Sequence, residues 1–151
     1  MKGISCVEIS TDWWYLSSGD HKGEVWLWDL SSGKCMKQFD IKKLSDFENP
    51  YVTALAFNPS DYCLAAAASD KIVRYFDLDS GEMINKSYSD VHPIYWMQYE
   101  SKGNLLYTGY ADSVKVWDLE TPKLWFVFDK TPRAIQDLQV TEDYLYVCEN
   151  Y

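Results

Sequence analysis

A spaced group of three apolar residues recurs four times along this 151-residue chain. In each copy two residues separate the first apolar position from the second, and one residue separates the second from the third. The copies are Ile4/Val7/Ile9, Val52/Leu55/Phe57, Ile94/Met97/Tyr99 and Ile135/Leu138/Val140. Short apolar segments bounded by turn residues predict β-strands rather than helices. The recurrence indicates a repeat protein.

An aromatic-Asp-Leu tripeptide follows each of the first three copies. The tripeptides are Trp28-Asp29-Leu30, Phe76-Asp77-Leu78 and Trp117-Asp118-Leu119. Their aspartates lie 48 and 41 residues apart along the chain. A period of about 40 to 45 residues with this dipeptide is typical of four-stranded propeller blades.

Turn residues divide each repeat into short strands. The strands predicted for the second repeat are Val52–Phe57, Tyr62–Ala68, a strand ending at Asp77, and Glu82–Ser87. The later predicted strands are Leu105–Tyr110, Val114–Trp117, Leu124–Phe128, Ile135–Val140 and Tyr144–Cys148. The run Ala65–Ala68 also has high helix propensity, but four residues between turns are too few to nucleate a helix, so a strand is favoured.

The segment from Asp70 to Leu78 resembles the signature of WD40 repeats, and Asp112 to Leu119 is a version one residue shorter. The resemblance implies that Asp70 and Asp112 accept hydrogen bonds from nearby backbone in their turns. It also implies structural roles for the aromatic-Asp pairs Trp28-Asp29, Phe76-Asp77 and Trp117-Asp118.

The first repeat departs from that pattern. Lys22 stands where the turn aspartate is expected, and Asp20 lies two residues earlier. The chain contains no Gly-His dipeptide. We therefore expect that the family's relay of hydrogen bonds, from turn aspartate through histidine and hydroxyl to tryptophan, is absent.

These features predict an all-β fold: an incomplete WD40 β-propeller of three four-stranded blades and the first two strands of a fourth. A single domain over 1–151 is expected, with repeats at about 1–49, 50–91 and 92–132 and a half repeat at 133–151. Repeat arrays need capping and propellers close into rings. The sequence is therefore expected to be a fragment of a longer propeller, with low stability in isolation.

Within the WD40 family, the order of features is similar to the second half of the WD domain in katanin-type regulatory subunits. The matching segments are Phe57-Asn58-Pro59, Asp61 to Leu64, Arg74 to Leu78, Asn104 to Gly109, Leu124 to Phe128 and Ala134 to Val140. The resemblance implies a non-catalytic module that directs a microtubule-severing ATPase to microtubules, centrosomes or spindle poles. Its implied partners are that katanin ATPase subunit and microtubules. The alternative is a generic WD-repeat scaffold for another protein complex.

Composition narrows the class of partner. The chain is 47% hydrophobic and carries a formal charge of -9, which favours a folded core and opposes broad binding to nucleic acid or an anionic membrane. No apolar run approaches the roughly 18 residues of a membrane span, and no signal stretch follows Lys2, so a soluble intracellular protein is expected. Cys6, Cys35, Cys63 and Cys148 lack Cys-x-x-Cys spacing and are expected to be buried reduced thiols rather than disulfide or metal ligands.

The seven extra residues of the first interval fall in the connection Ile41 to Asn49. We expect this insertion to be a protein-binding site. Leu44 and Phe47 would be its anchors, and Lys42 and Lys43 would supply positive charge, with Lys34 and Lys37 nearby. An antiparallel meander places His21, Lys22 and Lys71 on the same face. The alternative is a solvated loop whose lysines discourage strand pairing.

An enzyme is not expected. His21 and His92 are the only histidines, and no nucleophile elbow, phosphate-cradling glycine loop or metal-binding helix motif occurs. No catalytic, cofactor or metal residues are assigned. Trp26, Trp28 and Trp117 fit strand spacing and are expected to pack. The less constrained tryptophans are Trp13, Trp14, Trp96 and Trp125, one of which is expected to be exposed.

Overall fold

A computed structural model of the chain describes residues 3–88, 92–121, 123–129, 135–141 and 144–149. Within those residues the chain forms strands and one short 3-10 helix, Ile41–Leu44. The first eight strands are β1 Ile4–Ile9, β2 Tyr15–Asp20, β3 Glu24–Asp29, β4 Cys35–Asp40, β5 Val52–Phe57, β6 Cys63–Ala68, β7 Ile72–Asp77 and β8 Met83–Tyr88. The others are β9 Trp96–Tyr99, β10 Leu105–Gly109, β11 Ser113–Asp118, β12 Lys123–Asp129, β13 Ile135–Val140 and β14 Leu145–Glu149.

These strands form three four-stranded antiparallel sheets and one two-stranded sheet across the described part of the chain. Each sheet is a meander in which strands adjacent in sequence are hydrogen-bonded neighbours. The predicted fold class, a partial propeller with two strands of a fourth blade, is confirmed. The predicted repeat boundaries at 91, 132, 133 and 151, and Ala134 in the matched segment, lie outside the described residues.

A register shift recurs between the third and fourth strands of the three larger sheets. It falls between Leu27 and Trp28, between Tyr75 and Phe76, and between Val116 and Trp117. The extra residue of each bulge lies in the fourth strand and is Met36, Ile84 or Trp125, opposite the step into the tripeptide's aromatic residue. A bulge bends the strand that carries it and increases the local twist.

The first and second sheets pack face to face through an apolar core. The first sheet contributes Val25, Leu27 and Phe39, the 3-10 helix adds Ile41, and the second-sheet members include Val52, Leu64 and Phe76. The rings of Phe39 and Phe76 stack with centroids 4.5 Å apart. Each large apolar side chain fully buried in this way stabilises the fold by about 1.5 to 3 kcal/mol.

Strand β6 has both faces covered. Ala66 and Ala68 pack into the core shared with the first sheet, whereas Ala65 and Ala67 belong to the core that includes Ile94, Met97 and Leu106 of the third repeat. This alternation has the period of two that a strand requires. The alanine run is therefore a strand, as favoured from the sequence, and its small side chains allow the sheets to approach closely on both sides.

Large apolar side chains remain exposed on strands that lack a covering sheet and in the turn between β1 and β2. Of the four less constrained tryptophans, Trp13 and Trp14 of that turn and Trp125 of β12 are exposed, and Trp96 is only partly exposed. All four cysteines lie in described segments and are free, but the expectation that they are buried is wrong for Cys35 and Cys148. Both residues occupy strand positions that face solvent. Cys63 is buried and Cys6 is partly so, and burial raises the pKa of each thiol to about 11.

Replacing Gly19 with alanine is expected to lower the free energy of unfolding by about 1 to 3 kcal/mol, because overpacking an interior strains its neighbours. A Cβ atom at Gly19 would lie 2.4 Å from Cγ1 of the buried Val52, across the interface between the first two sheets. Gly3→Ala is the matched control, since its Cβ would meet only the movable His21 ring at 3.2 Å. Urea unfolding measures both, and equal stability of the two variants would contradict this account of the interface.

Candidate functional site

The connection between β4 and β5 lies against the turns at one end of the first two sheets. Ile41 donates its backbone N–H to the carbonyl of Gly23 at 2.8 Å, and the ring of His21 lies 5.9 Å from the ring of Tyr51. Tyr51 also exchanges hydrogen bonds with Ser69 in the next turn. We call this face the loop surface: residues 20–24, 40–51 and 69–72.

The loop surface brings together the predicted protein-binding residues. His21, Lys22, Lys42, Lys43, Leu44 and Phe47 are all exposed on it, and Lys71 is partly exposed. The predicted insertion is more ordered than a plain loop, because Ile41–Leu44 forms a 3-10 helix whose Ile41 side chain is buried.

A buried ion pair in the second sheet anchors the loop surface. Arg74 of β7 donates to both carboxylate oxygens of Asp70, at 3.1 and 2.5 Å, and both side chains are fully buried. Ser45 donates its hydroxyl to Asp70 at 2.5 Å, and Arg74 also donates to the carbonyl of Leu44 at 3.2 Å. These bonds tie the insertion to the turn between β6 and β7.

Opposing effects act on the Asp70 carboxyl. Burial would raise its pKa, but the hydrogen bonds from Arg74 and Ser45 and the adjacent guanidinium charge outweigh burial and lower the pKa below its usual range. Asp70 is therefore ionised in the folded chain. Asp112, at the related turn of the third sheet, is exposed and accepts from the Ser113 hydroxyl at 3.2 Å.

The expectation that the family's relay is absent needs correction in two sheets. The indole N–H of Trp28 donates to Ser18 at 3.0 Å, and that of Trp117 donates to Thr108 at 2.8 Å. The tryptophan-to-hydroxyl half of the relay is thus present. In the second sheet, Phe76 occupies the tryptophan position and Ala66 the hydroxyl position. They form no such bond, because neither side chain has a polar group. The second sheet carries the Asp70–Arg74 pair instead.

The aspartates of the tripeptides hold the turns that follow their strands. Asp29, Asp77 and Asp118 accept hydrogen bonds from backbone N–H groups at Ser32, Ser80 and Glu120, respectively. In the first sheet Asp20 accepts from the backbone of Lys22 and Glu24. Asp20, two residues before Lys22, therefore takes the place of the turn aspartate that the WD40 pattern expects at position 22.

The loop surface has mixed charge rather than the local positive patch expected from sequence. Lys43 pairs with Asp40 at 3.3 Å, and the exposed acids Asp46 and Glu48 lie in the same connection. Lys37 also lies elsewhere, because its ammonium donates to the carbonyl of Asp79 at the opposite end of the second sheet. The expectation that Lys37 would add charge to the insertion is wrong.

A cavity of about 260 Å³ lies along the ends of the first strands of all four sheets. Glu8, Gln98, Tyr99 and Val140 are among the residues that line it. The Gln98 side chain accepts the backbone N–H of Val140 at 2.9 Å, linking the third and fourth sheets. Burial raises the pKa of Glu8 to about 7.

The described residues contain no group of three or more His, Cys, Asp or Glu side chains arranged to hold a metal ion. In the same part of the chain, no helix has the length and apolar character needed to cross a membrane. His21 and His92 are both exposed.

Sequence reasoning missed Arg74 and Ser45 as partners of Asp70. The available signal was a charged residue within the otherwise apolar run Ile72 to Phe76, which points to a buried charge that needs a partner. Ser45 gave no comparable signal, since a serine in a surface connection is ordinary.

The sheet order, the recurring bulge and the aromatic-Asp turns define a WD-repeat β-propeller. The chain belongs to the Nucleolar protein 10-like N-terminal domain family, whose sequence profile matches residues 1–147.

Curated relatives and solved structures agree with this class. The chain is 30% identical over 129 residues to the small ribosomal subunit protein RACK1 of Candida albicans, covering 79% of this chain and 38% of that protein. It is 30% identical over 105 residues to pre-mRNA-processing factor 19 homolog 2 of Arabidopsis thaliana, covering 70% and 19%. The crystal structure of the RRP9 WD40 repeats aligns with a TM-score of 0.81 at 16% identity, covering 93% of this chain and 43% of that one. The latter likeness concerns the fold alone.

Asp70→Asn is expected to reduce the free energy of unfolding by about 3 to 5 kcal/mol, because it leaves the Arg74 charge buried and uncompensated. The double variant Asp70→Asn/Arg74→Met should recover most of that loss. Urea unfolding at neutral pH measures all three chains. An Asp70→Asn variant as stable as the parent chain would show that the Asp70–Arg74 pair does not support the loop surface.

The stability of the parent chain and that of the double variant should depend differently on pH. The folded-state pKa of Asp70 is lower than its unfolded value of about 3.9, so its contribution is complete above that value and is lost as the pH falls through the folded-state pKa. The parent chain should therefore lose more stability below about pH 4 than the double variant does. Parallel acid unfolding curves would contradict this.

Proposed function

We propose that this chain is a non-catalytic WD-repeat interaction module that acts within a nucleolar protein assembly. Its family is named for a nucleolar protein, and the relatives above are named as a small ribosomal subunit protein and a pre-mRNA-processing factor. These names support a role among protein components of ribonucleoprotein complexes. The chain covers 38% and 19% of those relatives, so the activity of the whole protein is part of the proposal.

The loop surface is the observation that carries the proposal. Phe47 is 55% exposed and Leu44 is 40% exposed, yet the connection that presents them is fixed by the Asp70–Arg74 pair. Apolar side chains on a fixed loop can bury themselves in a partner at little cost in conformational entropy. The surrounding lysines and acids, which include Lys42, Lys43, Asp46 and Glu48, suit a polar rim.

A partner that is a protein fits the charge of the chain better than bare nucleic acid. The formal charge of -9 repels phosphate, whereas it favours encounters with basic proteins. A scaffold role in such a complex corresponds to the generic alternative raised from the sequence.

The katanin-type hypothesis is not carried forward. The relatives named above are not katanin subunits, and the lysines that would contact an acidic microtubule surface are interspersed with carboxylates. Localisation to microtubules, centrosomes or spindle poles stays a prediction from the sequence, and we favour the nucleolar proposal over it.

Phe47→Ala is expected to reduce capture of nucleolar proteins by the tagged chain about tenfold, because removal of a buried aromatic anchor typically costs 1 to 2 kcal/mol or more. Phe126→Ala is the matched control, since Phe126 is 53% exposed on β12, away from the loop surface. Capture from a nucleolar extract, quantified by mass spectrometry, measures the effect.

Equal capture by the two variants would overturn the assignment of the loop surface.

A parallel sedimentation with polymerised tubulin separates the nucleolar proposal from the katanin-type hypothesis. Lys42→Glu/Lys43→Glu should leave sedimentation unchanged if the nucleolar proposal holds. Sedimentation that depends on these lysines would contradict it and support the katanin-type alternative.

A further inference from the structure

A groove of about 600 Å³ lies between the second and third sheets, away from the loop surface. Tyr75 and Cys63 of the second sheet and Tyr99 and Trp117 of the third supply its walls. Its volume falls within the range of roughly 300 to 1,000 Å³ seen for ligand sites. The groove lies outside the face proposed above and needs a separate explanation.

The aromatic walls are held in place by hydrogen bonds. The Trp117 indole donates to Thr108 at 2.8 Å, and the Tyr75 hydroxyl lies 3.2 Å from the Ser87 hydroxyl. Flat aromatic faces fixed in this way can receive a planar cation by stacking without first losing side-chain freedom.

The charged residues of the groove are predominantly acidic. Among the described residues, Asp61, Asp77 and Asp118 line it together with one cation, Lys86. A turn hydrogen bond from the Ser80 backbone lowers the pKa of Asp77, and one from the Thr121 side chain lowers that of Asp118. Both carboxylates are therefore ionised at neutral pH, and the groove favours a cationic occupant.

The Tyr99 hydroxyl is an independent sign of a ligand. Tyr99 is only 6% exposed, and its hydroxyl has no hydrogen-bond partner among the described residues. Burial raises the pKa of Tyr99, and the further contributions come from Cys63, Tyr75 and Asp61, all of which line the groove. Tyr99 lines the groove, and its hydroxyl is a neutral donor that lacks an acceptor among the described residues. Buried polar groups are rarely left in this state.

We propose that this groove binds an arginine side chain of a basic protein segment. The guanidinium would stack on Trp117 or Tyr75 and donate to the aspartates at the rim, since its planar fork matches carboxylate geometry. A backbone carbonyl of the same segment would accept the Tyr99 hydroxyl. The assignment rests on the proposed function, because it names the chemistry of a protein partner for the same module.

The test uses an acetylated and amidated peptide that contains three arginines separated by glycines. It is titrated into the isotopically labelled chain and followed by amide and indole NMR signals. We expect the Trp117 indole signal to move while that of the exposed Trp125 stays in place. The matched peptide carries citrulline, which keeps the shape of arginine and removes its charge, and it should not move the Trp117 signal. A lysine peptide should bind more weakly than the arginine peptide.

One matched pair of variants sharpens the result. Asp118→Asn should weaken binding about tenfold, as expected for the loss of one charge-assisted hydrogen bond. Asp46→Asn makes the same change of charge on the loop surface and should leave affinity within about twofold, as is usual for a distant exposed charge. Asn at position 118 can still accept the turn hydrogen bonds from Glu120 and Thr121.

Tyr99→Phe separates a ligand role from a structural one. Removing an unpaired buried hydroxyl should raise the melting temperature of the free chain, while affinity for the arginine peptide should fall about fivefold because one neutral hydrogen bond is lost. A hydroxyl that serves the fold would lower the melting temperature when removed.

Three results would overturn the proposal. The first is a shift of the Trp117 signal that is equally large with the arginine and citrulline peptides. The second is equal weakening of arginine-peptide binding by Asp118→Asn and Asp46→Asn. The third is an affinity of Tyr99→Phe for that peptide that matches the parent chain. If any occurs while capture of nucleolar proteins still depends on Phe47, only the groove assignment fails. If the peptide binds as expected but nucleolar capture fails, the proposed function falls and the groove assignment stands.

Discussion

Burial of β6 on both faces is the constraint on which the rest of this structure depends. Ala65 and Ala67 face one apolar core, and Ala66 and Ala68 face another, so a single strand joins the packing of three successive sheets. Side chains larger than alanine would separate the sheets on one side or the other. The second sheet therefore acts as the central layer, and both candidate binding surfaces are built upon it.

The same two-sided burial explains the Asp70–Arg74 pair. Arg74 lies opposite Ala66 on the neighbouring strand, where a charge has no access to water and must be compensated within the protein. Asp70 provides that compensation, and Ser45 and the carbonyl of Leu44 add further hydrogen bonds from the insertion, while Arg74 Nε has no partner among the described residues. A surface connection is thereby anchored to the interior. The third sheet has Lys115 at the corresponding position, 4.8 Å from the centre of the Tyr110 ring.

Much of the fold follows from local sequence, because strand periodicity and turn chemistry are both short-range signals. The alanine strand, the meander and the aromatic-Asp turns were all predictable from spacing alone. Contacts between residues far apart in sequence were not. Ser45 lies 25 residues from Asp70, and the groove combines Tyr75 with Tyr99 and Trp117 from a different repeat. Lys37 was misplaced for a related reason, since closeness in sequence to the insertion does not specify the end of the sheet that its side chain reaches.

Amide hydrogen exchange of the full chain tests the central role of β6 most directly. Backbone amides within Cys63–Ala68 should be the slowest to exchange, because their strand lies at the centre of both cores, while those of β12, whose side chains are largely exposed, should exchange much faster. Exchange of β6 as fast as that of β12 would contradict the account, since it would mean that the second sheet does not hold its neighbours together.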